Sequence, residues 1–162
     1  MIVWKVLLEA LVMCLIYTGF MAFLIRKNAV PLVFLYPQEV QDIVVRDGLI
    51  NRNQIRANQK KFVLVSYVLL IFLMILSVFR LNRAQGFFSI WWQMVLFMEF
   101  FNLYDAFVID AWWVRKTQAW QIPGAEGMDY IPKGSKTKKR VIAAIIAFPV
   151  MALIAWIASM LM

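Results

Sequence analysis

Histidine is absent from the 162 residues, and cysteine occurs once, as Cys14. Without an imidazole, haem ligation by His, the usual Cys/His zinc sites, and Ser-His-Asp or Cys-His catalysis are excluded. A lone cysteine rules out an intrachain disulfide. Set inside the first apolar run, Cys14 reads as a buried, inert thiol. Charge is sparse at 16% of residues, and acids are the scarcer sign, 9 against 17 Lys and Arg. No Walker pattern, internal repeat or barrel-type alternation is present. No catalytic residue, cofactor-binding residue or metal ligand is therefore assigned, and no cofactor is expected.

What the chain has in abundance is apolar surface. Its hydrophobic fraction is 64%, against about 45–50% for a soluble domain. A soluble fold of this size has too little interior to hide that much. The expectation is an all-α, polytopic membrane protein forming a single membrane domain over 1–162. Four runs meet the requirement of about 20 mostly apolar residues: 2–25, 62–79, 87–114 and 141–162. Helices satisfy their backbone polar groups internally, which makes them the default spanning element. The first run is too long for a signal-peptide core and lacks a clear small-residue cleavage site, so it is read as a retained helix.

Lys and Arg set the expected orientation. Segment 26–61 carries Arg26, Lys27, Arg46, Arg52, Arg56, Lys60 and Lys61, and segment 115–140 is equally basic. Both are expected to be cytoplasmic, with both termini outside a bacterial inner (plasma) membrane. The net charge of +8 suits anionic lipid at that face. These basic residues cluster at the ends of apolar runs, so no nucleic-acid partner is expected. Trp91 and Trp92 open the third run, and Trp112 and Trp113 close it. The pairs are separated by roughly 31 Å of helix, which matches the hydrocarbon thickness.

Between the first two runs, Pro37 is placed to open a helix and Gly48 to stop it. Asn51 or Asn53 then caps a second helix entering the next span. The result is a short cytoplasmic helical hairpin, read either as a packed connector or as a docking surface. The stretch Thr117 to Arg140 holds Pro123, Gly124, Gly127, Pro132 and Gly134, and reads as a loop with a basic end. Arg115, Lys116, Lys136, Lys138, Lys139 and Arg140 are candidate contacts for lipid headgroups or a partner, with Ser135 and Thr137 as further phosphate contacts. Read more simply, the lysines are a topology signal.

The third run holds most of the intramembrane polar residues: Glu99, Asn102, Asp105 and Asp110. At about 100° per residue they share an arc of roughly 140°. Such groups are costly in hydrocarbon and suit an ion, proton or headgroup site. The plainer reading is interhelical glue, with Asn102 and Glu99 bonding Tyr17, Thr18, Ser66 or Tyr67, and Asp110 pairing with Arg115 or Lys116. Asp105 and Asp110 lie about 140° apart on an α-helix. They are not expected to share a face, and the glycine-rich context of the CDP-alcohol enzymes is missing, so a paired-aspartate lipid phosphotransferase is rejected. Glu9 is the other intramembrane acid. It pairs with Lys5 four residues before it, or faces Glu99 as a paired site. In the last run, Ala143, Ala147, Ala155 and Ser159 allow close packing, and Pro149 introduces a kink.

Tyr36-Pro37-Gln38-Glu39-Val40-Gln41 followed by Gly48-Leu49-Ile50, and Asn102 to Asp110 followed by Ile122-Pro123-Gly124-Ala125-Glu126, resemble a group of small, uncharacterised bacterial four-helix membrane proteins. The resemblance covers about the middle two-thirds of the chain and implies no activity.

Three functions compete. The leading one is a non-enzymatic membrane protein that binds a lipid or protein partner through its basic cytoplasmic segments. The second is a homo-oligomeric transporter or channel for an ion or small solute, using Glu99, Asn102 and Asp105. The third is a lipid-modifying membrane enzyme with Asp105, Asp110 and Glu126 as its acids.

Overall fold

The computed structural model describes residues 2–128, 130–131 and 135–161, with 135, 136, 137 and 139 described by backbone alone. Every regular element among them is helical. Helix α1 spans Ile2–Ile25, α2 Gln38–Arg46, α3 Arg52–Ile75, α4 Phe87–Tyr104 and α5 Ser135–Met160. A 3₁₀ segment, Val30–Leu35, joins α1 to α2, and a 3₁₀ turn, Gln118–Trp120, follows the α4 rod. Two helices widen before they end. α3 continues as a π-helix over Leu76–Leu81, and α4 does so over Asp105–Val114.

Three helical runs are long and apolar enough to cross a membrane: Ile2–Ile25, Arg52–Leu81 and Arg140–Met160, with mean hydropathy 2.1, 2.9 and 2.7. Leu8, Leu64, Phe72, Ile145 and Leu153 stand exposed along them. An apolar exterior on this scale is what lipid requires and water penalises. The side that α1 turns inward, Val6, Ala10, Cys14, Tyr17 and Met21, follows helical spacing.

One part of the core gathers Val6 and Ala10 of α1, Val78 of the α3 extension, Ile90, Met94 and Phe97 of α4, and Met151 and Ala155 of α5. Ala147 and Ala155 are buried, as small residues in a close helix contact must be, whereas Ala143 is exposed. The Trp91 indole N–H donates to the Phe148 carbonyl at 3.2 Å, tying α4 to α5.

The other part of the core draws in both connections. Pro37 precedes α2, Gly48 follows it with φ 72°, and Asn51 caps α3 in a reciprocal capping box with Gln54. Those cap signals were readable in the sequence. The ordering of the second connection was not. Trp120, Ile122, Ala125 and Ile131 are buried against Val33, Tyr36, Val40 and Val44 of the first connection. Gly124, with φ 80°, passes so close to α2 that an added Cβ would sit 2.8 Å from an Asp47 carboxylate oxygen. The stretch read as a loop is irregular after Trp120, and it packs as a layer on the first connection. Pro132, Lys133, Gly134 and Met162 lie outside the described residues.

Candidate functional site

No Pro or Gly interrupts the run from Phe87 to Val114, yet its hydrogen bonding shifts to the wider π pattern from Asp105 onward. Bonding from i to i+5 brings residues five apart nearly over one another. Asp105 and Asp110 accordingly meet on one side. One Arg140 Nη2 donates to an Oδ2 of each, at 2.6 Å in both cases. The α-helical estimate that kept these carboxylates on different faces is corrected: the helix is not α there. Asp110 was expected to pair with Arg115 or Lys116. Arg115 instead donates to the Ile131 carbonyl at 3.1 Å.

Arg140, counted by sequence among the basic headgroup contacts, is tied to the acidic stripe at the start of the apolar part of α5. Its carbonyl also accepts a long bond of 3.5 Å from the Asn102 side chain. The cluster is shielded: the Asp110 side chain is 12% exposed and that of Arg140 23%. In such surroundings an ion pair is screened far less than at a wet surface. Lys116 and Lys138 are exposed. The side chains of Ser135, Lys136, Thr137 and Lys139 lie outside the described residues.

Asp105 and Asp110 line a cavity of about 250 Å³. Its apolar wall is built from Tyr17 and Met21 of α1, Phe62 of α3, and Phe101 and Ile109 of the α4 rod. Tyr36, Trp120 and Tyr130, from the two connections, form its roof. The Tyr36 hydroxyl donates to the Trp120 carbonyl at 2.7 Å, and its ring meets Tyr130 edge to face. Burial, and secondarily Tyr130, pushes the Tyr36 hydroxyl above its ordinary value. Tyr130 Oη accepts from the Ile122 amide and donates to the Ala125 carbonyl. These hydroxyls hold the roof in place. The Trp120 indole N–H, in contrast, is buried without an acceptor among the described residues.

The remaining sequence candidates fall elsewhere. Glu9 accepts from Ser77 and from Asn82, the latter at 2.7 Å, and sits 3.8 Å from Lys5. Glu99 is not among its partners. One Glu99 carboxylate oxygen is buried with no hydrogen-bond partner among the described residues. Asn102 does not reach Thr18, which instead shares a 3.0 Å bond with the Tyr104 hydroxyl. Glu126 is exposed on the second connection. Among the described residues, no three acids or cysteines are grouped to hold a metal ion. The residue that sequence reasoning misplaced was Arg140, and the residues it missed were the roof aromatics. A lone Trp and a lone Tyr within a loop rich in Gly and Pro were the available signal.

Comparison with protein-family models, curated proteins and solved structures yields no match to this chain.

Proposed function

We propose that the protein is a four-span, non-enzymatic inner-membrane protein that binds one amphipathic lipid in the cavity beneath its cytoplasmic connections. The fourth span is the Phe87–Val114 rod, whose α-helical part alone measures about 27 Å. Both connections face the cytoplasm and both termini lie outside, in keeping with the placement of Lys and Arg.

The observation that carries this reading is the cavity's division into an apolar wall and a charged end. Tyr17, Met21, Phe62 and Phe101 offer aromatic and aliphatic contact. Asp105 and Asp110, both held by Arg140, offer carboxylate oxygens at the other side. A headgroup with hydroxyl or amine donors matches that set. At about 250 Å³ the space is below the usual small-molecule pocket of roughly 300–1,000 Å³. It takes a headgroup and the first methylenes, with the rest of the chain in the bilayer.

Native mass spectrometry from native-lipid nanodiscs tests this. One retained lipid per chain is expected, reduced both by the cavity-filling Ile109→Trp and by Asp105→Asn with Asp110→Asn. Retention unchanged in both variants overturns the reading.

A second reading, a homo-oligomeric transporter or channel for a proton or small cation, draws on the unpartnered oxygen of Glu99. Its signature is flux into liposomes that Glu99→Gln abolishes.

A further inference from the structure

A second cavity, of about 380 Å³, lies where α1 ends against the turn after the α4 rod. Arg26, Lys27 and Asn28 line one side, and Trp113, Gln118 and Gln121 the other. Among the described residues, no acidic one lines it. Arg26 and Lys27 are exposed and form no ion pair among the described residues. That sets them apart from Arg52, paired with Asp42, and from Arg140, paired with two aspartates. The Arg26 guanidinium is not adrift. It lies 4.5 Å from the centre of the Phe23 ring, and Phe23 is itself exposed on α1. A cation–π contact of this kind holds the charge beside the lipid-facing surface. Trp113 is fixed from behind, edge to face with the buried Trp120 at 5.2 Å.

From this geometry we infer that the cavity binds the phosphate of an anionic phospholipid. Two unpaired cations, three side-chain amides and an indole converge on one concave space. Phosphate needs both charge and several N–H donors, and this set supplies both. The C-terminal dipole of α1 opposes an anion with about half an elementary charge, and the two full positive charges outweigh it. A zwitterionic headgroup fits poorly, because its ammonium would face Arg26 and Lys27 with no carboxylate among the described lining residues to meet it. Ala22 and Ile25 line the same cavity and offer an apolar path for the acyl chain, which favours a lipid over a soluble phosphate. The inference shares the membrane placement proposed above but is independent of the lipid cavity at Asp105.

The test uses the full chain in phosphatidylcholine nanodiscs, titrated with phosphatidylglycerol and read by native mass spectrometry. The expected result is selective retention of phosphatidylglycerol by at least about tenfold. Arg26→Gln with Lys27→Gln brings that preference to within about twofold. Because those changes remove topology signals, the neutral pair Gln118→Ala and Gln121→Ala is the second arm. It lowers the preference by about two- to fivefold, consistent with losing two modest hydrogen bonds. A preference unchanged in the neutral pair and in the correctly inserted charge variant overturns the inference. So does inorganic phosphate that displaces the lipid at equal concentration, which assigns the site to a soluble anion. Asp105→Asn with Asp110→Asn leaves this preference intact, which separates its failure from failure of the first cavity.

Discussion

Asp105 and Asp110, five residues apart, accept hydrogen bonds from the same Arg140 nitrogen at 2.6 Å each. Two carboxylates so close repel one another unless a cation holds them. The π-helical winding and the arginine therefore form one unit, joining the α4 rod to α5. It places charge at one side of a cavity whose other lining residues are aliphatic and aromatic.

Removing the cation should expose this dependence. Arg140→Met is expected to destabilise the protein by about 2–3 kcal/mol, at or just below the low end for breaking a buried pair because Asp105 is partly exposed. Adding Asp105→Asn and Asp110→Asn to Arg140→Met should recover at least half of the loss. Thermal unfolding in matched detergent measures both. If Arg140→Met alone is neutral, the cluster is not a structural unit.

Glu9 forms a comparable knot toward the other end, accepting from Ser77 and Asn82 on and just after the α3 extension. Glu9→Leu strands both donors and should cost about 2 kcal/mol, whereas Glu9→Gln keeps an acceptor and should cost less than about 1 kcal/mol. Equal losses for the two variants would mean that packing, not hydrogen bonding, fixes that end.

Gly124 joins the two connections. Gly124→Ala imposes a positive φ on a residue with a Cβ and moves Asp47, at a cost of about 1–3 kcal/mol. The expected sign is faster hydrogen exchange at Trp120, Ile122 and Ala125, with the membrane helices unaffected. Unchanged exchange in this layer counts against its tight packing.

Tyr36 gives the layer a pH dependence. Its hydroxyl is held above the ordinary value of 10.0 by burial, then by Tyr130. The folded state thus binds this proton more tightly than the unfolded chain. Its contribution is full below about pH 10 and is lost as pH rises through the folded-state value. Absorbance titration should show a late-ionising tyrosine that Tyr36→Phe removes. The same variant loses the bond to the Trp120 carbonyl, worth about 1 kcal/mol.

Much was legible without coordinates because the signals are local. Run length and hydropathy identified membrane-crossing helices, since lipid demands a fixed length of apolar helix. Pro37, Gly48 and Asn51 marked helix ends because each acts on backbone groups within a few residues. The second apolar run illustrates the limit: it begins at Phe62, but α3 begins at Arg52, because the capping box starts the helix well before its apolar part.

Three features were decided only by tertiary structure. The π winding put Asp105 and Asp110 together, against the face assignment an α-helix would give. Arg140, 35 and 30 residues away from them, became their partner instead of the nearby Arg115. The second connection is irregular after Trp120, as a loop is, but it packs onto the first through Trp120, Tyr130 and Gly124. In the last two cases the deciding contact joins distant parts of the chain. Helix propensity, hydropathy and capping are set by neighbours in sequence, whereas the choice of ion-pair partner and the burial of a loop depend on which surfaces the finished bundle brings together.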